Sequence, residues 1–494
     1  MRQKVGFFTG LVLALVVWTL PSGALTPQAH RLAAITTLVV IYWITEPIPI
    51  PVVGLLGVTL AILLGVAPAN LVLAAFGDPI VFLFIGSFML AKAMQVHGVD
   101  RRIAYALLAH PWVGGSTYRT LWAMGLVAWL LAMWTSITAC AAMLFPVALA
   151  VGKATGEALA SSGKGTGQED ARRYTTALLL MLTYAASAGA MATPVGTPPN
   201  LIGIGFIRDQ LGVSIGFLQW MVFGLPLAVM MLVTRYALVL FLFPPSIREV
   251  PGQLESMRAL QKGLGPWTAG QRNSLIAFGT AIVLWITPGL VSLVSGPTDP
   301  VVKILNDRFV PGVVALLAAA LLFVLPIDWQ RGKFTLEWEE AAQIDWGTVL
   351  LFGSGIALGR MMLDTGLAAV VGKGLLGITG TSHATALIGV AIVVALIISE
   401  LASNTAAATM VIPVMLSLVS GNQSLGLAIA LGTTFGVSLG FMLPVSTPAN
   451  AIVYGSGAIR MRDMVKAGAV VDLIGVLLIW AFSVWVVPLL PLRF

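Results

Sequence analysis

The 494-residue chain has a single cysteine, Cys140. An intrachain disulfide is therefore excluded, as is a cysteine cluster for metal. The four histidines, His30, His97, His110 and His383, are scattered, which argues against a histidine metal site. Charged residues make up only 10% of the chain, against about 25% in ordinary soluble domains. Polar stretches are equally scarce. The longest, residues 149–173 and 244–272, are loop-sized and leave no room for a second, soluble domain. Motifs such as His-Glu-x-x-His are absent, and no cluster of acid, base or metal-binding groups points to an enzyme working inside a membrane. A short repeated filter of the kind that lines channels is also missing.

What the chain has is apolar length. It is 58% hydrophobic, and runs of about 20 apolar residues, each able to cross ~30 Å of hydrocarbon, recur from end to end. Spans are expected near residues 5–21, 30–48, 52–68, 78–96, 174–206, 217–243, 273–294, 309–326, 346–363, 424–456 and 467–490. Residues 1–22 carry basic residues ahead of an apolar run, as a signal peptide would; with so many spans following, an uncleaved first helix is expected. The fold class is an all-α polytopic membrane protein with about 11 transmembrane helices. The lipid bilayer is its surroundings, and the net charge of +7 reads as orientation by cytoplasmic Lys and Arg rather than nucleic-acid binding.

One set of loops holds Arg2 and Lys4; Arg101, Arg102 and Arg119; Lys153, Lys164, Arg172 and Arg173; Arg248, Arg258, Lys262 and Arg272; Arg331 and Lys333; and Arg460, Arg462 and Lys466. The positive-inside rule makes that side cytoplasmic, which puts the N-terminus inside and the C-terminus outside. Residues 121–151 are flanked by Arg119 and Lys153, so this segment enters and returns on the same side. Each half, at about 15 residues and 1.5 Å per residue, passes the midplane without crossing, as a re-entrant helical hairpin does. A second such segment, residues 384–419, has no basic flank and opens to the outside.

The two halves repeat. Thr135-Ser136-Ile137-Thr138-Ala139, with Met143 and Pro146, aligns with Ala402-Ser403-Asn404-Thr405-Ala406, with Met410 and Pro413, at an offset of 267 (403 − 136). Gly86-Ser87 and Gly353-Ser354 share that offset. Pro194-Val195-Gly196-Thr197-Pro198-Pro199-Asn200 aligns with Pro444-Val445-Ser446-Thr447-Pro448-Ala449-Asn450 at an offset of 250 (448 − 198). The difference fits the longer loop of residues 152–173 against residues 421–423. The odd number of spans between the hairpins makes the repeats inverted, a plan of secondary transporters with the site near the midplane.

Hairpin tips and helix breaks leave backbone N–H and C=O groups free, and a bilayer tolerates these only where they are buried or line a cavity. Free N–H groups at half-helix N-termini attract carboxylate or sulfate oxygens. Carbonyls and Ser, Thr and Asn oxygens suit a hard cation such as Na⁺. Pro198 and Pro448 stand inside apolar runs and break them. Small residues of this kind also serve close helix packing in lipid, but four elements repeated in register favour a binding site.

At these residues the chain resembles the divalent anion:sodium symporter family, which carries dicarboxylates, citrate and sulfate and includes related anion exchangers. Ser403-Asn404-Thr405 is similar to that family's Ser-Asn-Thr tip. Ser438-x-x-Phe441-x-x-Pro444-Val445-Ser446-x-x-x-Asn450-x-Ile452-Val453 resembles its signature, although Val437 before it is larger than usual. The resemblance covers essentially the whole chain. It implies a homodimer with an elevator mechanism. Scaffold helices would occupy residues 1–78, and 217–345 with a cytoplasmic loop; transport repeats would occupy 79–216 and 346–466, each with its hairpin, followed by a C-terminal helix, 467–494. It implies substrate contacts from Ser136, Thr138, Thr197, Asn404, Thr405, Thr447 and Pro448. One Na⁺ site would use Ser399, Ala402, Asn404 and Ser446.

The first tip departs from this pattern. Ile137 stands where the repeat has Asn404, and Ala132 where it has Ser399, so Ser136 and backbone near Gly196 are all that remain of a first Na⁺ site. The leading expectation is a Na⁺-coupled symporter of a small divalent anion such as succinate, malate, citrate or sulfate. The alternative is a Na⁺-independent dicarboxylate exchanger. No organic cofactor is expected. Compact loops and the lack of internal targeting signals suggest a plasma membrane, that of a bacterium. Glu400, a carboxylate in an apolar run, reads either as a cap for hairpin N–H groups or as a proton-coupling or pocket-tuning group. Lys92 and Arg360 read as residues that snorkel to the interface, with direct substrate contact as the lesser reading. Trp134 walls the pocket or packs beside it, and Cys140 is small core packing.

Overall fold

The computed structural model describes residues 2–21, 23, 25–161, 167–379, 383–419 and 422–489. Parts of the expectations above fall on residues outside these, among them Lys164, Gly421 and the stretch from residue 490 onward. The described residues are almost all helical, apart from a two-stranded antiparallel ribbon, Pro326–Asp328 with Lys333–Phe334.

Local chemistry starts the helices. Thr26 accepts from Ala29 N ahead of Pro27, and Asp78 accepts from Ile80 N ahead of Pro79. In each case a side-chain oxygen satisfies an orphan N–H where proline needs none. Seven helices in the described residues are long and apolar enough to cross a bilayer, and an eighth joins them if Pro300–Arg308 and Pro311–Val324, bent by 60°, form one span. These seven include one arm of each interrupted segment, Ile137–Leu159 and Ala384–Leu401, and leave out expected spans that are short, such as Ile50–Leu63, or broken. The run expected at 174–206 is helix Gly167–Ala190, a loop, then helix Pro198–Leu211. The run expected at 424–456 is helix Gln423–Gly436, a loop, then helix Pro448–Gly455. Proline opens both second pieces, at the first helical position, where its missing N–H costs nothing.

Both interrupted segments form helix pairs. The first consists of Thr117–Ala132 and Ile137–Ser161, the second of Ala384–Leu401 and Asn404–Ser417. The longer arm of the first pair runs well past the expected end at residue 151, because Ala, Glu and Lys there continue the helix. Ser136 Oγ accepts from Ala139 N at 3.1 Å and Ser403 Oγ from Ala406 N at 3.2 Å, so the two tips are capped alike. Gly189 lets the first pair sit against helix Gly167–Ala190: a Cβ there would fall 2.0 Å from Trp129 O. Helix Phe217–Leu242 packs mainly on Gly167–Ala190 and Met461–Ala481, and less on its sequence neighbour Ala269–Ser295.

Candidate functional site

The two helix breaks are built alike. Asn200 Nδ2 donates to Ala190 O and Thr193 O, each at 2.8 Å. Asn450 Nδ2 donates to Gly440 O at 3.2 Å and Leu443 O at 3.3 Å. Donor and both acceptors keep the 250-residue offset found in the sequence. Each asparagine is fully buried and folds the loop back over the start of its own half-helix. Thr447 Oγ1 accepts from Asn450 N at 3.1 Å and caps the second half-helix, Pro448–Gly455.

Tips and breaks converge on one cavity of about 320 Å³. All seven residues expected to contact substrate line it: Ser136, Thr138, Thr197, Asn404, Thr405, Thr447 and Pro448. Gly196 and Ser446 line it as well, and so does Ile137. The surface they offer is neutral: hydroxyls, an amide and half-helix N-termini, a donor set suited to carboxylate or sulfate oxygens. Its far wall comes from three other helices, through Ile50 and Pro51, Ser87, Phe88 and Ala91, and Asp345, Gly347, Thr348 and Leu351. Of these, only Ser87 stood out in the sequence, through the Gly-Ser repeat. Its hydroxyl is buried and lacks a hydrogen-bond partner among the described residues. Asp345 carried no signal; it caps helix Trp346–Asp364 through Thr348 N at 3.0 Å and Thr348 Oγ1 at 2.5 Å.

Ser399 and Ala402 lie just behind the second tip, both buried and outside the cavity lining. Ser399 Oγ is 2.8 Å from Asn404 Oδ1 and 2.6 Å from Val437 O. Ser446 Oγ donates to Glu400 Oε2 at 2.6 Å. Hydroxyl, amide and carbonyl oxygens therefore crowd together with a carboxylate beside them, a donor set that fits a hard monovalent cation. At the first tip, alanine and isoleucine replace the serine and the amide, which leaves Ser136 and backbone near Gly196 as the oxygens of that donor set.

Glu400 itself is 4% exposed, and its Oε1 accepts from Met442 N at 2.9 Å. This is the backbone cap anticipated for it, applied to the second break rather than to its own hairpin. Arg360 is paired with two carboxylates. Its guanidinium, with that of Arg208, closes a four-membered ion-pair ring with Asp78 and Asp209, at distances of 2.7 to 2.9 Å. A partner is available there, so the side chain need not reach for headgroups. Lys92 Nζ donates to Gln343 Oε1 at 3.0 Å. Neither basic residue lines the cavity. Trp134 does both things weighed for it, lining the cavity while meeting Phe278 edge-on at 5.4 Å. Cys140 is buried, its thiol pointing at Ala128 O across the first pair.

A model of the sodium:sulfate symporter transmembrane region matches residues 2–492. The chain belongs to the sodium:sulfate symporter family. Among its relatives, the sodium-dependent dicarboxylate transporter SdcS of Staphylococcus saprophyticus is 31% identical over 489 residues, 98% of this chain and 92% of that protein. SdcS of Staphylococcus aureus strain USA300 is 30% identical over 493 residues, with the same coverage. The YdaH transporter of Alcanivorax borkumensis shares the fold, with a TM-score of 0.50 at 15% identity, over 100% of this chain and 99% of that one. The protein is thus a multi-pass membrane transporter and not an enzyme.

Proposed function

We propose that this family member carries a small dicarboxylate such as succinate or malate across a bacterial plasma membrane, coupled to Na⁺. The observation that supports it most is the cavity on which both tips and both breaks converge with neutral donors, next to the oxygen cluster of Ser399, Asn404 and Ser446. The anion would sit between the tips, its oxygens on Thr138, Thr405 and the N-termini opened at Thr197 and Thr447. The relatives' sodium-dependent dicarboxylate transport supports the same reading. Sulfate or citrate is the next anion to try.

In this reading the hairpins and broken helices form a body that slides against a fixed scaffold in a homodimer, with the N-terminus cytoplasmic and the C-terminus external. Residues 1–78 and helices 269–324 belong to the scaffold. The packing of Phe217–Leu242 on Gly167–Ala190 and Met461–Ala481 favours placing that helix with the moving body, not with the scaffold suggested by the sequence. A second reading, Na⁺-independent exchange, is favoured by one observation: Ala132 and Ile137 take two side-chain oxygen donors from the first cation site and leave Ser136 and backbone near Gly196.

Uptake of radiolabelled succinate into proteoliposomes separates the two. Na⁺ outside is replaced by choline, and the vesicles are empty or loaded with succinate. Na⁺-dependent uptake into empty vesicles is the expected result. Uptake confined to loaded vesicles and indifferent to Na⁺ would overturn symport in favour of exchange.

A further inference from the structure

The two breaks differ in how the neighbouring long helix grips them. In the first, Trp220 of helix Phe217–Leu242 donates its indole N–H to Met191 O at 3.0 Å. In the second, Asp472 of helix Met461–Ala481 accepts from Gly440 N and Phe441 N, both at 3.1 Å. Met191 and Phe441 are partners at the 250-residue offset, but they are gripped through opposite groups, the Met191 carbonyl by a neutral donor and the Phe441 N–H by a carboxylate. Glu400 takes the next amide, Met442 N, where the first repeat has the apolar Met133 at the position of Glu400 (400 − 267).

Buried charged residues surround the second grip. Glu400 and Asp472 are 4% and 2% exposed and hold successive amides of the same turn. Arg235, 1% exposed, lies on the other side of this turn: it donates to Tyr184 O and lies 4.6 Å from the Phe441 ring centroid. Tyr184, whose hydroxyl has no partner among the described residues, completes the surround. The cluster also touches the second oxygen site through Gly440. At this glycine φ is +126°, and a Cβ would lie 3.5 Å from Ser446 Cβ and 3.7 Å from Ser399 Oγ. Its N–H is held by Asp472 and its C=O by Asn450.

We propose that Asp472 is a positioning residue for the second cation site. It fixes Gly440 against Ser399 and Ser446. The first break is gripped by Trp220 and has no such carboxylate among the described residues, so cation coupling runs through the second repeat alone. This rests on the symport reading above.

The test is a Na⁺ titration of radiolabelled succinate uptake in proteoliposomes, for wild type and for Asp472→Asn, paired with the Na⁺-induced rise in melting temperature of each purified protein in detergent. The Asn variant is expected to raise the Na⁺ half-saturation about tenfold, to lose most of the Na⁺-induced thermal shift, and to leave the succinate KM at saturating Na⁺ within about twofold. Asp472→Glu keeps the carboxyl and displaces Gly440, so an intermediate Na⁺ affinity is expected; it carries the same test if the Asn variant fails to fold. Unchanged Na⁺ half-saturation with a lower maximal rate or melting temperature would mean a purely structural role and overturn the proposal. A wild type indifferent to Na⁺ overturns both this proposal and the symport reading, whereas a Na⁺-driven wild type with an unshifted variant overturns this one alone.

Discussion

Arg360 reaches Asp78 across 282 residues of chain, Nη2 to Oδ2 at 2.9 Å. Arg208 meets the same oxygen at 2.7 Å. Asp78 is 4% exposed while the arginines are about one-third exposed, so the aspartate is the desolvated member of the ring. Removing its charge leaves two guanidinium groups facing each other with one aspartate between them. Asp78→Asn is expected to cost about 1–3 kcal/mol, below the value for a fully buried pair because water reaches the arginines. A drop of a few degrees in melting temperature in detergent checks this. The double variant Asp78→Asn with Arg360→Gln is expected to lose less than the two single losses added, as partners in one network do.

Asn200 and Asn450 perform the same task, and their loss is expected to cost alike. Replacing either by alanine strips two carbonyls of their donor inside the protein, worth about 1–3 kcal/mol. Thermal unfolding of the two variants should show matching shifts. A loss at one break and none at the other would mean that the repeats do not share this clamp in function.

The first tip can be tested by repair. Ala132→Ser with Ile137→Asn restores the two oxygen donors that the second repeat keeps at Ser399 and Asn404. Uptake as a function of Na⁺ is expected to turn from hyperbolic to sigmoidal, with a Hill coefficient rising from about 1 toward 2, the number of sites then present. An unchanged curve would show that side-chain donors are not what the first site lacks.

Glu169 lies on the face rich in basic residues, where Arg172 approaches it at 2.6 Å and Arg460 at 3.2 Å. The bond from Arg172 holds its carboxyl below the usual carboxylate range. A depressed value means that the contact is present in full above the unfolded carboxyl's pKa, about 4.3, and fades as pH falls through the lower folded value. Glu169→Gln is therefore expected to flatten the loss of melting temperature below about pH 4.3 and to leave its pH dependence between 6 and 8 unaltered. The melting curve measured from pH 3 to 8 checks both limbs.

Much of this was open to a reader of the sequence, for identifiable reasons. Pro198 and Pro448 cannot continue a helix, so the breaks are written in the chain. Ser136 and Ser403 are good caps after small residues, so the tips are too. The offsets of 267 and 250 paired elements that the structure then joins by equivalent hydrogen bonds. What stayed hidden depends on partners far away in sequence. Arg360 looks like any basic residue near a helix end until Asp78 and Asp209 are beside it. Asp472 sits in a long apolar run with no motif around it, and only the fold brings it to Gly440. Helix Phe217–Leu242 is mostly apolar around its circumference, so its composition says little about which neighbours it packs against. Asp345 and Thr348 reach the cavity because their helix starts there, which spacing alone does not reveal.

The solitary thiol of Cys140 is sealed between the two arms of the first hairpin. Water-soluble thiol reagents have nothing to attack on the native protein, so its surface is already silent to cysteine chemistry. A single new cysteine, placed on a residue that passes from lipid or protein into water during turnover, would be the only one to answer. The native sequence is thus a ready background for following the proposed sliding motion with one label at a time, without first rebuilding the core.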